Sequence, residues 1–232
     1  MSRLTKIVRG FIHILKHPIQ RMPTLLSGWY DEKIMKGLFY EWYQQTAARA
    51  AAEIGEGDIL DIGTGAGYIP IFMARQNPRL KLTGIDLARH MIRRARRHAR
   101  ELGAGENVTF EKGEAGKLRF ADAAFDMVMT TMTIHCLRRP LKMLNEIHRV
   151  LKPGGLLWLM DIRGGEREDS QEMFRRVKAL SPWFMRPFIT EKNMKESGYS
   201  TAEIEAFFDG SAFKQWQYSE EGMFFRFSAL KD

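Results

Sequence analysis

ILDIGTGAGYIP, residues 59–70, sets Asp61 into an apolar run and follows it with glycines at alternate positions, Gly63, Gly65 and Gly67. Ile59–Ile62 reads as a buried strand and Ile69–Gln76 as a helix, so the glycines make a strand-to-helix turn. Without Cβ atoms such a turn lets backbone approach a ligand closely, and the helix start offers N–H groups with partial positive charge. Two ligand classes fit this much. A dinucleotide fold adds an acidic residue roughly twenty positions later to grip ribose hydroxyls, and Asp86 in LTGIDL supplies one. Asp61 breaks the tie, because an anion two residues before the first glycine repels a pyrophosphate and suits a cationic ligand.

Outward from the turn, short apolar runs alternate with helical periods. Strands read at Ile59–Ile62, Leu80–Ile85, Val108–Glu111, Phe125–Thr130 and Leu156–Ile162, and helices at about Ile69–Gln76, Arg89–Leu102 and Leu141–Leu151. That alternation predicts a parallel sheet covered by helices. In VLKPGG, Lys152 suits the negative end of a helix dipole, Pro153 stops the helix, and Gly154 and Gly155 allow a reversal into the next strand. Two later runs, AEIEAFFD and GMFFRFSAL, read as further strands at one edge.

Residues 1–52 differ in character and read as a helical cap on a ligand-binding domain at 53–232. Leu4, Ile7, Val8, Phe11, Ile12 and Leu15 mark one helical face, with Arg3, Lys6, Arg9, His13 and Lys16 around the other. Such a basic amphipathic helix, residues 3–16, serves as a lid, as a homodimer contact or as a peripheral membrane contact. After Pro18 and Pro23, SGWYDEKIMKGLFYEWYQQTAARAA resumes helically with dense aromatics.

The 232 residues are 44% hydrophobic and 28% charged, enough for one sizeable core. No stretch approaches the eighteen or so apolar residues of a membrane span, and the start lacks the apolar block of a signal peptide, so a cytoplasmic protein is expected. Cys136 is the only cysteine, which leaves no intrachain disulfide and no thiolate cluster for a metal. The net charge of +8 gathers in ARHMIRRARRHAR, with Arg89, Arg93, Arg94, Arg96, Arg97 and Arg100. Ile92, Ala95, Ala99 and Leu102 recur at helical spacing there, so the arginines are expected on a solvated face and not on a nucleic-acid surface.

ILDIGTGAG, LTGIDLARHMIRRA, VTFEKGEAGKLRFADAAFDMVMTTMTIHCL and LNEIHRVLKPGGLLWLMD stand in the order and spacing of the motifs of class I S-adenosylmethionine-dependent methyltransferases, over about Glu53 to Ile162. The chain resembles the small-molecule members, similar to the ubiquinone/menaquinone C-methyltransferase family. The resemblance implies an α/β fold: a Rossmann-like, seven-stranded, mostly parallel sheet with helices on both faces and an N-terminal helical cap. It places Asp61, Gly63, Thr64, Gly65 and Gly67 around the methionine part of the cofactor and gives Asp86 to both ribose hydroxyls. Leu87 and Met91 flank the adenine. Glu114, where the family usually has aspartate, takes the adenine amino proton, and the backbone N–H of Ala115 meets a ring nitrogen. Thr130 and Thr131 line the cofactor floor.

A base is needed only if the acceptor loses a proton. His135 in TMTIHCL is the candidate, since it follows the fourth strand and its ordinary pKa is about 6.5. The quinone enzymes usually carry arginine and asparagine there, and His135–Cys136 departs from that pattern. No PPY-type sequence follows the fourth strand, as in methyltransferases of nucleic-acid bases, and there is no cysteine trio for arsenic. Asp161 is followed by Ile162 and Arg163 and not by the partner of a magnesium site, so no metal is expected. Tyr30, Tyr43, Trp183 and Phe184 are the candidate walls of a pocket for an apolar or aromatic acceptor. The expected activity is methyl transfer from S-adenosylmethionine to a small quinol-, phenol- or lipid-like molecule. The alternatives are an RNA methyltransferase using the arginine-rich helix 89–100 and a non-catalytic nucleotide-binding protein.

Overall fold

The computed structural model describes residues 30–162, 168–181, 186 and 199–232. The amphipathic helix expected at 3–16, and the candidate walls Trp183 and Phe184, lie outside the described residues, and Tyr30 is described for its backbone only.

A π-helical turn, Tyr30–Met35, and a short helical turn, Lys36–Leu38, lead into α1 (Tyr40–Ala52). Then β1 (Gly57–Ile62), α2 (Tyr68–Gln76), β2 (Leu80–Asp86), α3 (Arg89–Glu101), β3 (Val108–Lys112), β4 (Phe125–Thr131), α4 (Pro140–Val150) and β5 (Leu151–Ile162) alternate as expected. They are followed by α5 (Glu168–Leu180), α6 (Thr201–Asp209), β6 (Trp216–Glu221) and β7 (Phe224–Leu230). The seven strands form one sheet in the order β3-β2-β1-β4-β5-β7-β6, parallel except where β7 runs against β5 and β6.

Alternate side chains of each strand enter two cores, one per face of the sheet. Ile59, Leu82, Met127, Met129, Trp158 and Met160 pack with α1, α2 and α3 on one side. Leu60, Ile62, Ile85, Val128, Leu157 and Leu159 pack with α4 and α6 on the other. Strands covered on both faces read as continuous apolar runs, which is why ILDI and DMVMTT were legible.

AEIEAFFD, read above as a strand, is helix α6. Ser200 accepts from the Glu203 N–H while Glu203 reaches back to the Ser200 N–H, a capping box, and Ile204 and Phe208, four apart, are fully buried. The edge strand β6 was not anticipated, because WQYSEE pairs with β7 on one side only and keeps a polar composition. β5 begins at Leu151, earlier than expected. Leu151 pairs with Phe125 before the register shifts, and Gly154 and Gly155 exchange backbone hydrogen bonds with Lys231, so KPGG is a bulged part of the strand.

In the arginine-rich helix Ile92 and Ala95 are buried and five of the six arginines are exposed, as expected, while Arg94 alone is half-buried. Arg94 Nη1 donates to Asp31 Oδ2 (3.0 Å), Arg96 Nη2 donates to the Phe110 carbonyl (2.6 Å), and Arg97 stands 3.7 Å from Asp31. Among the described residues no helix is long and apolar enough to cross a membrane.

Candidate active site

At the carboxyl ends of the parallel strands a cavity of about 780 Å³ opens, the place where sheets of this kind bind ligands. Its floor is the glycine turn. Gly63 and Gly65 adopt φ of 76° and 54°, values reserved largely for glycine. A Cβ on Gly63 would run into the Thr133 side chain, whereas one on Gly65 would have Met35 Cε 3.8 Å away as its nearest neighbour. Gly67, at φ 82°, precedes α2 and does not line the cavity; a Cβ there would meet Ala95 Cβ at 2.8 Å and Phe110 at 2.9 Å. It is glycine so that α2 can pack on α3 and β3.

Asp61 is 2% exposed, and its Oδ1 has no hydrogen-bond partner among the described residues. Thr64 Oγ1 is likewise buried without one. Burial pushes the Asp61 carboxyl up to about 7, helped by the Asp86 carboxylate; the neighbouring Thr64 hydroxyl pulls the other way but reaches no hydrogen-bonding geometry with Oδ1. Asp86 Oδ2 accepts from the Gly65 N–H (3.0 Å) and Oδ1 from the Ala88 N–H (2.7 Å). Burial raises its pKa too, against those two bonds. Each carboxylate oxygen has a second lone pair, so Asp86 can still accept from a ligand diol. Two acids with raised pKa values and orphaned buried oxygens on one cavity fit a ligand that brings a cation and hydroxyl donors. S-adenosylmethionine has both.

Leu87, Met91, Glu114, Ala115 and Thr131 line the same cavity. Leu87 is 60% exposed, a large apolar side chain left open at the position implied for adenine. Thr130 does not line it: its hydroxyl donates to the Ile62 carbonyl (3.0 Å) and ties β4 to β1.

His135 sits in a short 3₁₀ turn, Ile134–Cys136, beyond β4, and lines the cavity. Its Nδ1 is 2.7 Å from Asp161 Oδ1, and its backbone N–H donates to Asp161 Oδ2 (3.3 Å). Asp161 Oδ1 accepts a further bond from the Ile162 N–H (2.7 Å). Burial by itself would lower the His135 pKa, but the Asp161 carboxylate, with Cys136 beside it, holds it well above the ordinary value. Asp161 was weighed above only as a metal ligand, and its pairing with His135 was not foreseen. Its signal in the sequence was an acid closing the apolar strand LLWLMD, where a buried carboxylate needs a partner. Met132, next to the site at φ 52°, is one of two non-glycine residues in the left-handed region among those described, a strain typical of functional turns. No group of three or more His, Cys, Asp or Glu that could hold a metal occurs among the described residues.

Met35, Phe39, Trp42 and Tyr43, from the N-terminal segment, supply an apolar wall of the cavity. Trp42 also stacks on Phe224 (4.8 Å between centroids) and Tyr43 on Tyr68 (5.4 Å), so these aromatics pack and line the cavity at once.

A second constellation, also missed above, fastens this wall. Asp31, fully buried, accepts from the Tyr68 hydroxyl (3.1 Å) and from Arg94, with His98 Nε2 at 3.2 Å. The other ring nitrogen of His98 is 3.0 Å from the Ala66 carbonyl in the glycine turn. One buried imidazole thus joins the N-terminal segment to the turn.

The arrangement has relatives. A family profile described as a methyltransferase domain matches residues 55–214. A ubiquinone/menaquinone biosynthesis C-methyltransferase from Desulfotalea psychrophila is 33% identical over 146 residues, covering 62% of this chain and 57% of the relative. A 27-O-demethylrifamycin SV methyltransferase from Amycolatopsis mediterranei is 35% identical over 103 residues, 44% of this chain and 38% of the relative. The matched part is therefore less than two thirds of either relative's length. A solved structure of a SAM-dependent methyltransferase from Aquifex aeolicus superposes with a TM-score of 0.65 at 24% identity, covering 82% of this chain and 89% of that one, a likeness of fold. The profile takes in more than half of the chain and its motifs meet at one cavity, so the chain belongs to the S-adenosylmethionine-dependent methyltransferase-domain family.

Proposed function

We propose that the protein transfers a methyl group from S-adenosylmethionine to a small acceptor with an apolar or aromatic body, of quinol, phenol or lipid kind. The observation that carries this reading is that a single cavity takes in the orphaned Asp61 carboxylate and Thr64 hydroxyl of the glycine turn, Asp86, His135 with Asp161 behind it, and the Phe39, Trp42 and Tyr43 wall. The cofactor, when bound, supplies a methyl group already activated by a sulfonium, so positioning provides much of the acceleration, on the order of 7–11 kcal/mol in well-oriented systems. Asp61 and the turn hold the amino-acid part, and Asp86 holds the ribose. Aromatic side chains exclude water and stack on a planar acceptor. Asp161 orients the imidazole through Nδ1, and His135 in its neutral form takes the acceptor's proton at Nε2.

Isothermal titration with S-adenosylhomocysteine tests the cofactor half. Asp86→Ala is expected to weaken binding by roughly 1.5–3 kcal/mol through loss of a charge-assisted acceptor. Unchanged affinity would remove Asp86 from the site.

A pH dependence follows from Asp61. Its raised carboxyl is protonated below about 7 in the ligand-free protein. Its contribution to folding stability is therefore present at acid pH and lost as pH rises through about 7. A ligand ammonium favours the ionised form, so S-adenosylhomocysteine should bind about tenfold more tightly at pH 8 than at pH 6. A flat profile in Asp61→Asn alongside the sloped wild type identifies Asp61 as the source; a flat wild-type profile refutes the assignment.

The RNA alternative keeps an exposed basic face, since of the six arginines only Arg94 is half-buried, and it predicts steep salt dependence of RNA binding. The non-catalytic alternative predicts cofactor binding with no turnover across phenols, quinols, amines and thiols.

A further inference from the structure

Three cations on the cavity stand outside the roles assigned so far. Arg138, Arg139 and Lys142 line it and are exposed, which puts them at its mouth, at the start of α4. None of the three side chains makes an ion pair within 4.0 Å with a described residue. Some arginines elsewhere are paired, Arg149 to Asp122 and Glu146, Arg226 to Glu53 and Arg94 to Asp31; what sets Arg138, Arg139 and Lys142 apart is their place on the cavity. Lys142 lies with its Cδ 3.4 Å from where a Gly116 Cβ would stand, beside the loop that carries Glu114, and it also feels Glu146, which Arg149 already holds. Glu114, exposed, is the one acid among the cavity's residues on this side. The charge on the cavity is thus divided, with Asp61 and Asp86 by the glycine turn and the free cations at the mouth.

We propose that Arg138, Arg139 and Lys142 form an anion-recognising rim, so that the acceptor carries an acid group, a carboxylate or phosphate, on its planar or apolar body. This rests on the methyltransferase reading and names the substrate class it leaves open. The walls take the body and cannot by themselves orient it, because apolar contact is non-directional. Guanidinium groups bind carboxylate and phosphate oxygens in pairs, which fixes orientation as well as charge. The N-terminus of α4 adds partial positive charge from the same side. A cavity with walls of low dielectric focuses such a field. A carboxylate could also come from the cofactor itself, and the experiment separates the two sources.

The test uses the full chain saturated with S-adenosylhomocysteine, titrated with a hydroxynaphthoate and with the naphthol that lacks its carboxylate. Wild type is expected to prefer the acid by about tenfold or more, the preference shrinking as salt rises from about 0.05 to 0.5 M. In the variant Arg138→Gln, Arg139→Gln, Lys142→Gln the preference should vanish while naphthol affinity and S-adenosylhomocysteine affinity stay within twofold or so. All three side chains are exposed, so the variant keeps its melting temperature, and the single variants Arg138→Gln and Arg139→Gln each show part of the loss. Equal affinity for the two compounds in wild type, or failure of both to bind, overturns the proposal. So does a variant that loses S-adenosylhomocysteine instead, which would give the rim to the cofactor's carboxylate, or one that loses only salt-sensitive binding of transfer RNA. If wild type binds no S-adenosylhomocysteine at all, it is the methyltransferase reading that fails.

Discussion

His135→Ala is expected to lower kcat for a hydroxyl or carbon acceptor by about 10²–10⁴-fold, the range of a lost general base, with little change in cofactor affinity. The expectation rests on the 2.7 Å contact of Nδ1 with Asp161, which leaves proton transfer to Nε2. Asp161 acts through the ring and is a positioning residue, so its signature is in the pH profile. The carboxylate holds the His135 pKa well above the ordinary value. Only the neutral imidazole accepts a proton, so wild-type kcat should climb with pH through that raised value. Asp161→Asn removes the negative charge, moves the rising limb to lower pH and reduces the plateau. An amine or thiol acceptor that reaches the site already deprotonated would show no such dependence. His135→Ala within threefold of wild type on a phenol or quinol would overturn the base assignment.

The second large effect is on stability. Asp31→Ala should destabilise the fold by about 3–5 kcal/mol, because removing one member of a buried charged set leaves the others without compensation. Asp31 is fully buried and sits within 3.2 Å of Tyr68 Oη, Arg94 Nη1 and His98 Nε2. Burial works to raise its carboxyl, but His98, Tyr68 and Arg94 together hold the pKa below the ordinary value. A depressed carboxyl contributes stability that is present above its unfolded pKa, about 3.9, and is lost as pH falls through the folded value. Urea unfolding at pH 7 and below about pH 4 measures both, provided the transition is two-state. The variant should also bind S-adenosylhomocysteine more weakly, since His98 loses its anchor while still facing Ala66 in the turn. A loss under about 1 kcal/mol would mean that desolvation of Asp31 cancels what its partners return.

Most of the sheet and the cofactor turn were legible in the chain itself. Ile59–Ile62, Leu80–Ile85 and Phe125–Thr130 announce strands through short, predominantly apolar runs, and Gly63 and Gly65 mark a turn only glycine adopts freely, with φ of 76° and 54°. Local rules of this kind depend on residues a few positions apart, so sequence spacing carries them. α6 escaped because AEIEAFFD is short and apolar enough for either period, and the Ser200–Glu203 box that selects helix is a weak local signal. β6 escaped because an edge strand is half solvated.

By itself the sequence determined the fold class, the family resemblance and the cluster of Asp61, Thr64, Gly65 and Asp86 near one turn. Tertiary structure alone decided the pairings. His135 and Asp161 are 26 positions apart, Asp31 and His98 lie on separate elements, and Thr130 turned out to brace β1 while Thr131 faces the cavity. A charged side chain has no periodicity to betray its partner. Whether Arg94 points to water or into a buried carboxylate depends on which element folding brings against it, and that balance of desolvation against pairing exists only once the chain has closed on itself.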